Sequence, residues 1–456
     1  MRVAFHTLGC KVNQFETGAL ERLLSARGHT VVPWETEADA YVINTCTVTA
    51  VSDKKSRQAI RGVMREHPGA VIAACGCLGQ SDPQAMAALG LDLVCGTGDR
   101  QGFVNSLEEA VEWRVEREKW RVVTAQSPAV YSPLPTLHFS RSTLHFPLST
   151  HFERLPAGSL SGRTRALLKV QDGCDNYCTY CIIPSVRGPV RSLPPDEAAA
   201  EAARLGGEGY REIVITGIEI SSYGKDFPDG VTLAGLTEAI CRAAPDVRIR
   251  LGSLEPRIVT GAFAARLSGL SNLCPHFHLS LQSGCDGTLR RMGRRYDTAR
   301  YAQALDLLRA AFPDCAVTTD LIVGFPGETE EEFVQTLGFV ERCAFAGMHI
   351  FPYSRRAGTP AASMPEQVMR AEKRDRAARA SALAQRMTRA YDAVCVGKVF
   401  RVLFEEDAGG DAHGHAENYR PVRCPGADGG LPHGQVRSVK VIGVEDGGLV
   451  GVISED

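Results

Sequence analysis

The chain has 456 residues with 51 Lys and Arg against 53 Asp and Glu, a net charge of -2. That length implies two to four domains, and the charge balance excludes nucleic-acid binding by bulk charge, leaving only a local patch. Fifteen cysteines are unusual for a disulfide scaffold of this length. The N-terminus MRVAFHTLGC lacks the order of a signal peptide, and no apolar run approaches the ~18 residues of a membrane span. Together these predict a cytoplasmic protein whose thiols bind metal or do redox chemistry.

Residues 1–115 read as repeated strand–helix units. Val3–His6 is a short strand, and Phe15–Arg27 a helix with Leu20, Leu23 and Leu24 on one face, stopped by Gly28. Ala40–Asn44, Ala70–Ala74 and Leu91–Cys95 follow as strands, with a helix over Ser52–Glu66. The alternation implies a parallel sheet with helices on its faces. Cys10, Cys46 and Cys77 each follow one of the first three strands. Ligands of open parallel sheets bind outside the strands' carboxyl ends, so three thiols distant in sequence meet at one edge, one ligand short of four.

Residues 116–160 are rich in Pro, Ser, Thr and His without helical periodicity and read as a linker. Its words TLHFSRS, TLHFPLS and THFERL start at Thr136, Thr143 and Thr150 and carry His138, His145 and His151. Residues 161–394 read as six strand–helix units and a trailing helix. Strands fall near Ala166–Val170, Glu212–Thr216, Arg248–Gly252, Phe277–Leu281, Ala316–Val323 and Gly347–Phe351. Six units fit a partial (β/α)6 barrel, with its chemistry at the strands' C-terminal mouth.

The loop leaving the first of these strands, DGCDNYCTYCIIPSVRGPVR, carries Cys174, Cys178 and Cys181. Three thiolates on one short loop suit an iron–sulfur cubane. Structural zinc usually pairs two CxxC knuckles, or one with two histidines. No ligand-like His or Cys lies within ten residues, so one iron is left open to a small molecule. Other strand ends carry ITGIE, GSLEP, SLQSG, VGFPGET and FPYS. Their glycines allow close approach of a cofactor to the backbone. With Tyr180 on the cysteine loop, they supply Gly217, Glu219, Ser253, Glu255, Gln282 and Gly324 as a cofactor-binding set.

A helix from Pro365 to Val394 carries Arg370, Lys373, Arg374, Arg376, Arg379, Arg386 and Arg389, read as a solvated basic face. Residues 395–456 hold short alternating strands between Gly-rich turns, a small β-barrel. The fold class is therefore α/β, with a parallel-sheet domain, a partial barrel and a C-terminal β-barrel in that order.

The cysteine loop, with Tyr180 before its third cysteine, resembles the radical S-adenosylmethionine motif. In that superfamily the open iron chelates the methionine moiety, and one electron cleaves the sulfonium to a 5′-deoxyadenosyl radical. TLGCKVNQFET, NTCTV and CGCLGQ resemble the N-terminal domain of the methylthiotransferases. This implies an auxiliary 4Fe–4S cluster on Cys10, Cys46 and Cys77 beside the one on Cys174, Cys178 and Cys181, and two S-adenosylmethionines per turnover. Cys75 stands where that family more often has Thr, and Cys95 where an aliphatic is usual; both are read as packing residues.

HGHAENYRPVRCP resembles the RNA-binding barrel called TRAM, which implies that Tyr419 stacks a base and that Arg420, Arg423, Arg437 and Lys440 meet phosphates. LGCKVNQFET and RRMGRRYDT (Arg290–Thr298) are similar to the branch that methylthiolates carbon 2 of N6-threonylcarbamoyladenosine beside the anticodon. Arg294 and Arg295 are then candidates for the threonyl carboxylate. The partners implied are tRNA and an electron donor such as flavodoxin or ferredoxin, with no membrane. Alternatives are a ribosomal-protein aspartate or isopentenyladenosine as substrate and, in a different class, an RNA-binding two-cluster electron-transfer protein.

Overall fold

The computed structural model describes all residues except 127–141, 145–147, 159–162, 409, 427–432 and 455–456. The chain forms two compact units, neither of them continuous in sequence: Met1–Ser161 with Ile182–Pro189, and Gly162–Cys181 with Val190–Asp456.

The first unit is built on a sheet of six described strands. Their order is Thr30–Val32, Arg2–Thr7, Ala40–Thr45, Val71–Gly76, Leu93–Cys95 and Ser142–Leu144, and every pairing is parallel. Both faces are apolar, as a parallel sheet covered on two sides requires. Val3, Val42, Ala73 and Leu93 pack with Leu20, Leu24, Phe103 and Leu107 of helices Lys11–Ala26 and Arg100–Gln126. On the opposite face Ala4, Tyr41, Ile43 and Ile72 meet Ile60 and Val63 of helix Ala50–Glu66. Thr49 caps that helix, accepting from the Ser52 N–H at 3.1 Å. Cys75 and Cys95 lie in the first of these apolar clusters, where burial pushes their thiols up to about 11 and about 12.

Several elements of this unit are not evident in the sequence, among them the short helices Cys77–Ser81 and Pro83–Ala87. Helix Arg100–Gln126 runs into residues 116–126, which read as linker because the sequence there shows no apolar stripe at helical spacing. Thr30–Val32 and Ser142–Leu144 are edge strands of three residues, too short for alternation to register. His138 and His145 of the His-bearing words lie outside the described residues, and His151 is exposed.

The second unit holds two four-stranded sheets and a barrel. One sheet runs Arg248–Leu251, Glu212–Gly217, Ala166–Asp172 and Arg191–Ser192, the other Ser253–Leu254, His276–Leu279, Ala316–Val323 and Gly347–Pro352. All pairings are parallel except that of the short Arg191–Ser192 strand. The sheets part at Gly252, where a Cβ would stand 2.9 Å from the Ile215 carbonyl oxygen. Helix Arg370–Cys395 follows, and its basic run is not uniformly solvated. Arg376 is buried and donates to the Glu328 carboxylate at 2.8 Å, tying the helix to the VGFPGET loop. Strands Val399–Ala408, Asp411–Ala416, Pro421–Cys424, Gly448–Ile453 and Val436–Glu445 close into a barrel around Phe400, Val402, Phe404, Val439 and Leu449. No helix among the described residues is long and apolar enough to cross a membrane.

One buried carboxylate joins this barrel to the strands beneath it. Glu212 is fully buried. It accepts from Arg165 Nε at 2.9 Å, Arg248 Nε at 2.9 Å and Arg250 Nε at 2.8 Å. The same arginines reach on to the barrel: Arg248 donates to the Arg401 carbonyl at 2.6 Å, Arg250 to the Glu417 carbonyl at 3.0 Å, and Arg165 pairs with Glu405. Despite the cost of burial, the guanidiniums hold Glu212 well below the usual carboxylate range.

Candidate active site

The Cys174–Cys181 loop starts where strand Ala166–Asp172 ends. Gln171 fixes the turn by donating to the carbonyls of Asp172 at 2.8 Å and Gly173 at 2.6 Å. Cys181 N–H donates to the Cys178 carbonyl at 2.9 Å, folding the last two cysteines together. Thr179 anchors the loop tip: its N–H reaches the Met292 carbonyl at 2.9 Å and its hydroxyl the Arg291 carbonyl at 2.8 Å. Burial pushes the Cys174 thiol up to about 11.

Around this loop stand several residues expected from the strand-end motifs. Tyr180 packs edge-on to Phe325 at 6.3 Å, and burial raises its phenol well above the ordinary value. Glu219 accepts from Asn176 of the loop at 3.4 Å and from the Ser221 N–H at 3.2 Å, and its own N–H donates to Gln171 Oε1 at 2.7 Å. Burial raises its carboxyl against the opposing pull of Arg294. Gly217 lies so close to Gln171 that a Cβ would be 2.8 Å from its carbonyl oxygen. Gln282 has φ +69° and ties two strands, donating to Asp320 O and accepting from the Ile322 N–H, each at 2.9 Å. Gly324, also at φ +69°, donates to Glu328 at 2.6 Å. Glu255 is buried with Arg257 Nε at 2.8 Å, and Ser253 is exposed.

Arg294 is drawn into the same place. Its Nη1 donates to Cys178 Sγ at 3.2 Å and its Nε to the Tyr296 hydroxyl at 3.0 Å. Burial works against its charge, but Tyr296, Tyr180 and Cys178 more than offset it. Its Nη2 is buried without a hydrogen-bond partner, so a cation with spare donor capacity stands at the cysteine loop. Arg295, its neighbour, is exposed.

The second thiol set sits at the sheet edge of the first unit. Cys10 precedes helix Lys11–Ala26, Cys46 follows strand Ala40–Thr45, and Cys77 follows strand Val71–Gly76. Two glycines allow the convergence. A Cβ on Gly9 (φ +105°) would stand 2.7 Å from Cys46 Cβ, and one on Gly76 (φ +96°) 2.4 Å from Asn44 Oδ1. Cys10 is exposed, whereas Cys46 and Cys77 are buried, and burial raises both of their thiols.

Arg187 hydrogen-bonds Cys77 and opposes that rise. It is fully buried, paired with Glu16 and donating to Asn13 Oδ1 at 2.9 Å; Arg100 meets the other side of Glu16 at 2.6 Å. This network went unread in the sequence. Its only trace is Asn13 and Glu16 at three and six residues after Cys10, on one helical face. Among the described residues, neither cysteine set brings three donors within 4.8 Å of one another, as a single ion would need. Wider-set soft donors with a cationic neighbour fit a multi-iron cluster.

Residues 168–340 match the Radical SAM superfamily, and residues 2–96 the Uncharacterized protein family UPF0004. The threonylcarbamoyladenosine tRNA methylthiotransferase MtaB of Bacillus subtilis is 38% identical over 446 residues, 96% of this chain and 93% of that one. The chain belongs to the radical S-adenosylmethionine tRNA methylthiotransferase family. The MtaB of Thermotoga maritima is 35% identical, with 88% of this chain and 86% of that one covered. The tRNA-2-methylthio-N(6)-dimethylallyladenosine synthase of Symbiobacterium thermophilum is 33% identical, covering 89% and 84%. Among solved structures, the radical S-adenosylmethionine methyltransferase TsrM of Kitasatospora setae shares the fold, with a TM-score of 0.51 over 79% of this chain and 77% of that one at 14% identity. As a radical methylthiotransferase, the enzyme uses a 4Fe–4S cluster and S-adenosylmethionine.

The residues expected to meet RNA are placed differently from one another. Tyr419 (φ +66°) lies with Arg250 at 4.5 Å over its ring, His276 at 5.0 Å and His415 at 5.1 Å, so its ring packs inside the Glu212 junction. Arg420 is paired with Asp392 at 2.6 Å, and Arg423 with Asp411 at 2.6 Å and Glu445. Arg437 and Lys440 are exposed on strand Val436–Glu445.

Proposed function

We propose that the enzyme transfers a methylthio group to carbon 2 of N6-threonylcarbamoyladenosine beside the anticodon of tRNA. In this reading Cys174, Cys178 and Cys181 hold the cluster that binds S-adenosylmethionine, and Cys10, Cys46 and Cys77 hold an auxiliary one. When bound, the first cluster supplies the electron for S-adenosylmethionine cleavage, which a flavodoxin- or ferredoxin-like donor in the cytoplasm would renew. The chain's own residues set the surroundings: Arg294 donates to Cys178, Glu219 accepts from Asn176 of the loop, Tyr180 on the loop packs against Phe325, and Arg187 stands against Cys77.

The observation that carries the substrate choice is the near full-length likeness to threonylcarbamoyladenosine enzymes. Arg294 supports it, because a buried guanidinium with an unpartnered nitrogen suits a carboxylate. Dimethylallyladenosine is the second reading, favoured by relatives of nearly equal identity. Purified enzyme offered anticodon stem-loops with each modification should add a methylthio mass only to the threonylcarbamoyl RNA. A product only on the dimethylallyl RNA would overturn the assignment.

For RNA contact on the C-terminal barrel, the exposed Arg437 and Lys440 are the cations to test. Charge reversal of both should weaken tRNA binding and lower the salt slope by roughly one per residue. An unchanged slope would remove that strand from the interface.

A further inference from the structure

Alternation sorts the side chains of strands His276–Leu279, Ala316–Val323 and Gly347–Pro352 onto two faces. Phe277, Leu279, Val317, Thr319 and Leu321 are buried on one, where Phe277 packs on Phe312 at 4.9 Å. His278, Asp320 and His349 stand on the other, one from each of three adjacent strands. The register sets Asp320 directly opposite His349, and His278 opposite Thr318, two residues before Asp320.

The ligand atoms of these three residues all lie within 4.8 Å of one another, the only such group among the described residues. His278 Nε2 is 3.2 Å from Asp320 Oδ2. Two donors bonded to one zinc-like ion at roughly 2.0–2.2 Å stand about that far apart. His278 Nδ1 lies 3.0 Å from Thr318 Oγ1, which fixes the ring with Nε2 toward Asp320. Metal-bound imidazoles carry this kind of contact on their second nitrogen. His278 and Asp320 keep 14% and 27% of their side chains exposed, and His349 is exposed, so solvent reaches the group. A relay from Thr318 through His278 to Asp320 would account for the 3.2 Å contact, but it gives no reason for His349 to converge on the same point.

We propose that His278, Asp320 and His349 bind one divalent first-row transition ion, separate from both cysteine sets. Two imidazoles and a carboxylate favour zinc, iron, cobalt or nickel over magnesium or calcium. Three protein ligands leave coordination positions free, as catalytic rather than structural sites do.

The test is anaerobic calorimetric titration of fully reconstituted enzyme with Zn²⁺, with bound iron counted before and after. One equivalent of zinc should bind without loss of iron. His349→Ala and Asp320→Asn, with wild-type iron content and circular dichroism, should weaken it by more than the roughly 10–100-fold worth of an outer-shell partner. Thr318→Val should fall within that range. Wild-type enzyme that takes up no zinc, or takes it up equally in His349→Ala and Asp320→Asn, overturns the proposal. In either case the relay reading stands.

Discussion

Replacing Cys174, Cys178 and Cys181 together by Ala should lower the iron of the anaerobically reconstituted enzyme from about eight to about four atoms per chain and abolish S-adenosylmethionine cleavage. Replacing Cys10, Cys46 and Cys77 should remove a similar amount of iron but leave cleavage running, now without methylthio product. The two outcomes are separable because the two cysteine sets belong to different compact units. Each set has its own counter-charge: Arg294 beside Cys178, and Arg187 beside Cys77. Iron counting and quantitation of 5′-deoxyadenosine check both. If the second triple variant keeps all its iron, Cys10, Cys46 and Cys77 hold no cluster.

Glu212→Gln should destabilise the second unit by about 3–5 kcal/mol, the range for breaking a buried ion pair from one side. Gln keeps the shape but leaves Arg165, Arg248 and Arg250 facing one another without the charge that gathers them. Two of those arginines donate to carbonyls of the C-terminal barrel, so the loss should appear as faster proteolytic release of residues 397–454. The pH dependence has a definite sign. The carboxyl is depressed in the folded state, so its contribution is present above the ordinary carboxylate range and is lost as pH falls through the lowered folded value. Wild-type protein should therefore hold the barrel at mildly acidic pH, where the variant already releases it. Equal protease resistance at every pH would show that Glu212 does not hold this junction. The junction also argues against deleting residues 395–456 as a test of RNA binding, since deletion would strip Arg248 and Arg250 of their acceptors.

Strands Ala166–Asp172, Glu212–Gly217 and Ala316–Val323 were readable to within two residues, because they are rich in β-branched and aliphatic residues and are bounded by glycine and polar turns. The placement of Cys10, Cys46, Cys77 and Cys174 just after strands was readable, because residue type and position along the chain carry it. Pairing was not. Tyr419 and Arg420 fit the phrase of an RNA-binding barrel, yet their neighbours Arg250 and Asp392 lie on other elements, a strand and a helix outside the barrel. Arg376 looked like one more cation on a basic helix until Glu328 was placed beside it. A side chain's type is local, but what it touches is fixed by the fold.

The segment Ile182–Pro189 gives the first unit an unusual history during synthesis. The ribosome delivers Glu16 and then Arg100 well before Arg187, the third member of their buried network. Domains generally fold as they emerge, N-terminal first. This one cannot complete its interior until the chain has passed residue 189, by which time Cys174, Cys178 and Cys181 have also been made. A fragment ending at residue 161 would carry Glu16 with one of its two guanidiniums missing, so the first unit cannot be expressed whole as a simple N-terminal piece.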